Sequence, residues 1–186
     1  MSSNYKQVLL LNLNEIADIE SNAFQALKSL ISLDLYSNKL KQIRAGMFNG
    51  LSRLEVLRID KNEIKSVEPG TFMGLNSLND MRLYSNQLEA IGKGILAGKP
   101  MLEKLRLDKN LISELDVNAF ADLGKLKRLE LFSNKLQVLK SGVLTPLLSL
   151  DTLFLDNNQL REIETNAFRG LDALKELKVA KLFITL

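Results

Sequence analysis

Residues 30–40 read LISLDLYSNKL, and this pattern returns every 24 residues along the chain. Its most regular member is an asparagine that recurs without insertion or deletion, at Asn14, Asn38, Asn62, Asn86, Asn110, Asn134 and Asn158. Apolar residues stand five and three positions before each asparagine and two positions after it. A fixed period of this length indicates one supersecondary unit copied along the chain, so the sequence predicts a solenoid.

Each repeat begins with a short strand. Leu33 and Leu35 alternate with Asp34 and Tyr36, and this period of two predicts a strand that buries one face. Strands that recur in parallel need a crossover connection, which the rest of the 24 residues provides. We therefore expect one parallel sheet along the inner wall of a coil.

The asparagines have a structural interpretation. Each stands where the chain turns away from its strand, and backbone groups freed by a turn cannot be buried unpaired. An asparagine amide offers both a donor and an acceptor to such groups. We expect the amides to form a buried ladder rather than a ligand site.

The second half of each repeat predicts a column of large apolar side chains at the back of the coil. Its members are Phe24, Phe48, Phe72, Leu96, Phe120, Leu144 and Phe168. Two residues earlier stands only glycine or asparagine, which predicts a left-handed backbone at Asn22, Gly46, Gly70, Gly94, Asn118, Gly142 and Asn166. Lys99 replaces a leucine in a further column, so we expect the fourth coil to be irregular, as a repacked convex loop or as a hinge or contact site.

The composition excludes several kinds of function. The chain has 186 residues, 46% apolar and 25% charged, and neither cysteine nor histidine. Disulfides, thiolate zinc sites and cysteine or histidine catalysis are therefore excluded, and we predict no enzyme, catalytic residue, metal site or cofactor. The net charge of +3 comes without a Lys/Arg run, so no nucleic-acid partner is expected. We also expect no membrane insertion and no signal peptide in the first residues.

The repeat, L-x-x-L-x-L-x-x-N-x-L-x-x-I-x-x-x-x-F-x-x-L, is similar to the 24-residue typical class of leucine-rich repeats over about residues 8–180. The resemblance implies an α/β fold: a single right-handed solenoid over residues 1–186, with seven full repeats and a partial eighth. A parallel sheet would line its concave face, and loops and short 3₁₀ turns its convex face. Variable lymphocyte receptors, Toll-like receptors and Slit proteins are similar, which implies an extracellular or cell-surface module for immune or adhesion recognition. Such proteins carry cysteine caps, which this chain lacks.

The concave face is where we predict that a ligand binds. One column of it alternates aromatic residues with aspartates over six coils, with a period of 48 residues, and Arg58, Arg82 and Arg106 form a stripe beside it. Tyrosine and arginine are enriched at binding hot spots. The predicted ligand-binding residues are Tyr36, Arg58, Asp60, Arg82, Tyr84, Arg106, Asp108, Phe132 and Phe154, with a protein as the expected partner and an anionic glycan as the alternative. The same residues also fit an intramolecular ladder, in which Asp34, Asp60, Asp108 and Glu130 pair with the arginines.

The last repeat suggests a second role. Leu182 stands where the asparagine should be, and Leu182, Phe183, Ile184 and Leu186 make an apolar end. Terminal repeats need a polar outer face for solubility, so these residues predict self-association as a homodimer. An engineered or structural scaffold without a natural ligand is the alternative function, favoured by the constant repeat length and the 48-residue alternation.

Overall fold

The structure, a computed structural model, describes residues 7–179, so the apolar end at Leu182 to Leu186 lies outside the described residues. No helix is present within residues 7–179. The strands in chain order are β1 (Val8–Leu10), β2 (Ser32–Asp34), β3 (Gln42–Ile43), β4 (Val56–Arg58), β5 (Ser66–Val67), β6 (Asp80–Arg82), β7 (Ala90–Ile91), β8 (Lys104–Arg106), β9 (Glu114–Leu115), β10 (Arg128–Glu130), β11 (Val138–Leu139), β12 (Thr152–Phe154), β13 (Glu162–Ile163) and β14 (Glu176–Lys178).

The three-residue strands form one parallel sheet on the inner side of the coils. Its order is β1-β2-β4-β6-β8-β10-β12-β14, which is the order of the repeats along the chain. Pairing joins residues 24 positions apart, so that Leu33 lies beside Leu57 and Leu57 beside Met81. The predicted solenoid with a parallel concave sheet is confirmed, because one constant repeat length keeps every inward-facing leucine in register.

The asparagine ladder is confirmed in the same coils. The amide nitrogen of Asn62 donates to Leu35 O at 3.1 Å and to Ile59 O at 3.2 Å. Its Oδ1 accepts from the Leu40 N–H at 3.1 Å. From Asn38 to Asn158 each asparagine therefore satisfies backbone groups of its own coil and of the preceding one, which joins neighbouring turns of the solenoid, whereas Asn14 donates to Leu11 O and Asn12 O of its own coil.

The core runs between the inner sheet and the back column. The central leucine or methionine of each inner strand from β2 to β12 and the residues of the back column from Phe24 to Leu144 are buried. The rings of Phe48 and Phe72 stack with centroids 5.8 Å apart. Burying a side chain of this size stabilises the fold by about 1.5–3 kcal/mol, so the repeated columns supply most of the driving force for stacking.

Lys99 is also fully buried, in the place of a column leucine. Its amine donates to Ala97 O and Gly98 O, both at 3.1 Å. Burial lowers the pKa of this amine below its ordinary value. The fourth coil thus accommodates the lysine as a repacked convex loop, in which two carbonyls replace the water that the ammonium loses.

The convex side is built of turns closed by bonds from residue i to i−3, such as Leu27 N–H to Phe24 O at 2.9 Å. The predicted left-handed backbone is present at six of the seven positions. At Asn118 the prediction was wrong: its N–H donates to Asp116 Oδ1 at 2.8 Å, and Asp122 takes the positive φ of that coil. In the first coil the equivalent N–H of Asn22 instead donates to Gly46 O at 3.0 Å.

Short convex strands repeat the 48-residue period in the backbone. Within residues 7–179 they pair only two by two, as β3–β5, β7–β9 and β11–β13. The carboxylate of Glu68 accepts from the Ala45 N–H at 2.9 Å, and that of Glu164 accepts from the Ser141 N–H at 2.8 Å. Glu68 thus joins the two coils of the pair β3–β5, and Glu164 joins the two coils of the pair β11–β13. The repeating structural unit on this side is therefore two coils rather than one.

Candidate functional site

Three neighbouring arginines form the centre of the concave face. Arg58 on β4, Arg82 on β6 and Arg106 on β8 are direct partners in the sheet register. Parallel strands lie about 4.8 Å apart, so three guanidiniums would repel one another unless negative charge separated them. The predicted basic stripe is present, and its charge must be compensated locally.

Carboxylates supply that compensation. Arg58 Nη1 lies 3.0 Å from Asp34 Oδ2, and Arg82 Nη2 lies 2.8 Å from Asp80 Oδ2. Arg106 binds two acids, with Nη2 3.1 Å from Asp108 Oδ2 and Nε 3.2 Å from Glu130 Oε2. The ladder of ion pairs expected from the sequence is thus present, with Asp80 as an additional member.

Aromatic rings cover the other side of several cations. The guanidinium carbon of Arg58 lies 4.3 Å from the ring centroid of Tyr36, and that of Arg106 lies 4.1 Å from Tyr84. Phe154 is contacted in the same way by Arg128 at 4.7 Å. Stacking of this kind contributes about 0.5–2 kcal/mol per pair and holds each guanidinium in one orientation.

Asp60 and Asp108 differ from the other predicted residues because both are fully buried, at 0% exposure. Burial raises the pKa of each carboxyl above its ordinary value, and the neighbouring arginines oppose that rise. A ligand on the concave face would meet the guanidiniums and rings, with these two carboxylates lying beneath them. Phe132 is half-buried near Lys109, whose amine is 6.0 Å from its ring.

A shallow depression of about 250 Å³ opens in the middle of the face, and we call it the cationic hollow. It is lined by Asp80, Arg82, Lys104, Arg106, Arg128 and Glu130. Lys104 is exposed at its centre, on β8 between Asp80 of β6 and Arg128 of β10. Among residues 7–179 the side-chain amine of Lys104 makes no hydrogen bond or ion pair, which distinguishes it from every other cation that lines the hollow.

Sequence reasoning selected two of the residues that line the hollow, Arg82 and Arg106, and did not select Lys104 or Arg128. The sequence did contain a sign of these two residues, because Lys104 and Arg128 occupy the same position, the first of the strand, in two consecutive repeats. The selection followed the aromatic column instead, which lies at the other edge of the strands. Tyr36 and Tyr84 are half-buried under their arginines, so they offer less free surface than their type suggests.

The described part of the chain carries neither a metal-binding cluster nor a membrane-spanning helix. No group of three or more acidic, histidine or cysteine side chains within residues 7–179 could hold a metal ion. No helix in that range is long and apolar enough to cross a membrane.

Comparison with known proteins identifies the repeat. The family model described as leucine rich repeat matches residues 7–64, 52–112, 100–160 and 126–181. Among solved structures, a TLR13 chain in complex with ssRNA13 is 28% identical, with a TM-score of 0.86 over 90% of this chain and 24% of that one. An internalin (inlF) from Listeria monocytogenes str. 4b F2365 is 26% identical, with a TM-score of 0.71 over 92% of this chain and 47% of that one.

The chain thus spans about a quarter and about half of the lengths of these two similar chains. No curated protein sequence matches it at a comparable level of significance. The repeat signature, the solenoid and the family match agree over almost the whole chain. The chain belongs to the leucine-rich repeat family.

Proposed function

We propose that this protein is a non-catalytic recognition module that binds a protein ligand through its concave face. The observation that carries the proposal is the clamping of the concave arginines between carboxylates and aromatic rings. Arg106, for example, is held by Asp108, Glu130 and the face of Tyr84. Side chains that are already ordered lose little conformational entropy when a partner binds, so such a surface is prepared for contact.

The chemistry of the face supports a protein ligand. Arg58, Arg82 and Arg106 are each about one-third exposed, at 27%, 34% and 31%, so their guanidiniums are accessible although paired. Arginine and tyrosine side chains of this kind dominate the energy of protein interfaces. The face is shallow and extended, which suits a protein surface better than a small substrate.

The family supports the same conclusion at a coarser level. Leucine-rich repeat proteins commonly bind proteins and are generally not enzymes. We extend this to an immune or adhesion role outside the cell, on the grounds of similarity to a TLR13 chain and an internalin. The ssRNA13 of the TLR13 complex is a ligand of that protein. For the present chain, single-stranded RNA is therefore an alternative class of ligand to be tested against a protein.

An interaction screen with a matched pair of variants tests the proposal. The wild-type chain is displayed against a library of secreted proteins, and each captured protein is identified, purified and measured in a binary titration. Arg82→Glu with Tyr84→Ala is the concave variant, and Lys65→Glu with Met73→Ala, at two exposed convex positions, is the control. We expect the concave variant to lose binding and the control to retain it. Equal affinities for the two variants, with both folded by circular dichroism, would contradict the concave site.

Self-association is a second candidate function, and exposed leucines at the edges of the inner sheet favour it. Leu10 of β1 is 66% exposed and Leu13 is 70% exposed, while Leu177 of β14 is 43% exposed. Edge strands that present unpaired backbone and apolar side chains promote pairing with another chain. In this function the protein is a structural scaffold that pairs with a second copy. Light scattering of wild type and Leu10→Lys tests it, and a monomeric wild type at high concentration would exclude it.

A further inference from the structure

We propose that the cationic hollow binds a short acidic segment of a partner protein, with Lys104 as the central contact. The inference rests on the concave binding function proposed above and adds the chemistry of the bound group. A carboxylate is the anion that protein partners supply, and the hollow holds the donors for one or two of them.

The charge of the hollow is the first argument. Its lining contains four cations and two carboxylates, a net charge of +2. Register explains the concentration: Lys104 lies between Asp80 and Arg128, and Arg106 lies between Arg82 and Glu130. Over all three concave columns within residues 7–179, cations on neighbouring strands outnumber acids only from β6 to β10, where Asp108 reduces the excess to one.

The carboxylates of the hollow are already engaged, which is the second argument. Both oxygens of Asp80 accept from Arg82, at 3.1 and 2.8 Å. Glu130 Oε1 accepts from Arg128 Nε at 2.6 Å, and its Oε2 lies 3.2 Å from Arg106 Nε. The side-chain amine of Lys104 has no acceptor among residues 7–179, so an incoming carboxylate would pair with it without breaking an existing bond.

The arginines around Lys104 are held in position for a second contact. Arg106 stacks on Tyr84 and Arg128 on Phe154, with the guanidinium carbons 4.1 and 4.7 Å from the ring centroids. A guanidinium carries five N–H donors in a planar fork that matches a carboxylate. Arg128 uses only its Nε in the bond to Glu130, so its two terminal nitrogens are available for a ligand.

The surroundings of the hollow favour a short acidic group over a long polyanion. Over all three side-chain columns the concave face, including the hollow, carries six cations and seven acids. Its net charge is therefore −1. A polyanion would place charge along the whole face and meet Asp34, Asp156 and Glu176. The hollow spans three strands, about 10 Å across, which is the reach of one or two acidic side chains.

A titration followed by amide NMR tests the inference. The probe is the blocked peptide acetyl-Gly-Glu-Glu-Gly-amide, added to wild type, Lys104→Gln and the exposed convex control Lys65→Gln. We expect shift changes at β6, β8 and β10 in wild type and in the control. Removing one exposed charge pair should weaken binding of the peptide to Lys104→Gln by about fivefold.

Three results would overturn the inference. Shift changes that are absent or spread over the whole face would exclude a defined site, and equal affinities of Lys104→Gln and Lys65→Gln would exclude the central role of Lys104. Tighter binding at the hollow by a single-stranded RNA or a sulfated oligosaccharide, titrated in parallel, would exclude an acidic peptide as the ligand class.

The concave binding function and the acidic-segment site in the hollow can be refuted separately. The peptide titration needs no natural partner, so it gives a result even when the interaction screen captures nothing. A partner that is lost by the Arg82→Glu, Tyr84→Ala variant but retained by Lys104→Gln, together with a flat peptide titration, would leave the concave function standing and remove the hollow from it.

Discussion

Asp60 and Asp108 occupy the same position in two coils 48 residues apart, and both are fully buried, yet their partners differ. Asp108 accepts two hydrogen bonds from Arg106, from Nε and Nη2, each at 3.1 Å. Asp60 has no hydrogen bond of normal geometry at either oxygen. Its nearest cation is Arg58, whose Nε lies 3.6 Å away and also lacks a partner.

The two arginines are bound by further carboxylates on opposite sides. Arg58 is bound by Asp34 of the preceding strand, and Arg106 is bound by Glu130 of the following strand. Arg58 has its Nη1 on Asp34 of the preceding strand and its Nε 3.6 Å from Asp60, whereas Arg106 contacts Asp108 and Glu130 at once. We expect side-chain length to contribute, because glutamate is longer than aspartate by one methylene. In a repetitive chain, identical positions can thus acquire different energies from one neighbouring residue.

The largest expected effect comes from a substitution at Asp108, whose carboxylate is hydrogen-bonded to Arg106. In Asp108→Asn the amide replaces one of the two acceptors of Arg106 by a donor, at a fully buried position. We expect the free energy of unfolding to fall by about 1–3 kcal/mol at neutral pH, because Arg106 keeps only Glu130 as its carboxylate partner. Urea denaturation followed by circular dichroism measures the change. An unaltered midpoint would show that the two hydrogen bonds contribute no net stability.

The second effect has the opposite sign. Burial raises the pKa of Asp60 above its ordinary value of 3.8, so the folded state holds this proton more tightly than the unfolded chain does. The corresponding stability is fully present below the unfolded pKa and is lost as pH rises through the folded pKa. The pKa of Asp108 is raised as well, but Asp60 accepts no hydrogen bond that the substitution would remove. Asp60→Asn should therefore stabilise the protein by about 1–2 kcal/mol at pH 7, with a smaller gain near pH 4.

Denaturation curves for wild type and Asp60→Asn across that pH range are the measurement. Asp60→Asn and Asp108→Asn serve as controls for each other, because they make the same substitution at equivalent positions. A loss of stability in both variants would mean that Asp60 is as well paired as Asp108.

A smaller effect is expected when aspartate and glutamate are exchanged at positions 34 and 130, the further partners of Arg58 and Arg106. Asp34→Glu lengthens the partner of Arg58, so we expect Arg58 Nε to move back onto Asp60 with a gain of about 0.5 kcal/mol. In that background Asp60→Asn should become destabilising. The reciprocal variant Glu130→Asp should draw Arg106 away from Asp108. A double-mutant cycle of Asp34→Glu with Asp60→Asn gives the coupling, and a coupling of zero would rule out side-chain length as the cause.

The smallest effect concerns Tyr84. Burial and the Asp60 carboxylate raise the pKa of the Tyr84 hydroxyl, so this hydroxyl influences Asp60 even without a hydrogen bond of normal geometry. In Tyr84→Phe the ring still covers Arg106, and we expect a change in stability of only a few tenths of a kcal/mol. The pKa of the Asp60 carboxyl should rise further, as measured by carboxyl NMR titration with Asp60→Asn to assign the signal. A pKa that falls would show that the hydroxyl does not stabilise the ionised form.

Most of the fold could be predicted from the sequence because its rules are local and repeated. The leucine spacing predicts the inner sheet, and the asparagine at each turn predicts the ladder that Asn62 forms with Leu35, Ile59 and Leu40. The failure at Asn118 shows the limit of such rules, because a side chain two residues away, Asp116, supplied the hydrogen bond and changed the backbone.

The candidate site was predicted less completely. The sequence identified the concave columns and the pairing of arginines with acids, but it ranked residues by type, which favoured Tyr36 and Tyr84. Burial and stacking, which depend on neighbours 24 residues away, are properties of the assembled sheet. They leave Lys104 as the cation of the hollow whose side chain has no partner among the described residues, which the succession of Lys104 and Arg128 in one column did not by itself reveal.

By itself the sequence determined the period, the register and the columns of this protein, because every coil repeats the same short-range pattern of apolar residues and turns. The tertiary structure alone decided how the charges are shared: which carboxylate each arginine binds, why Asp60 lacks a partner while Asp108 has two bonds, and where positive charge remains. The physical reason is that stacked strands bring ionic side chains within a few ångströms across the repeats. At that range the strand on which a carboxylate stands changes which pair forms.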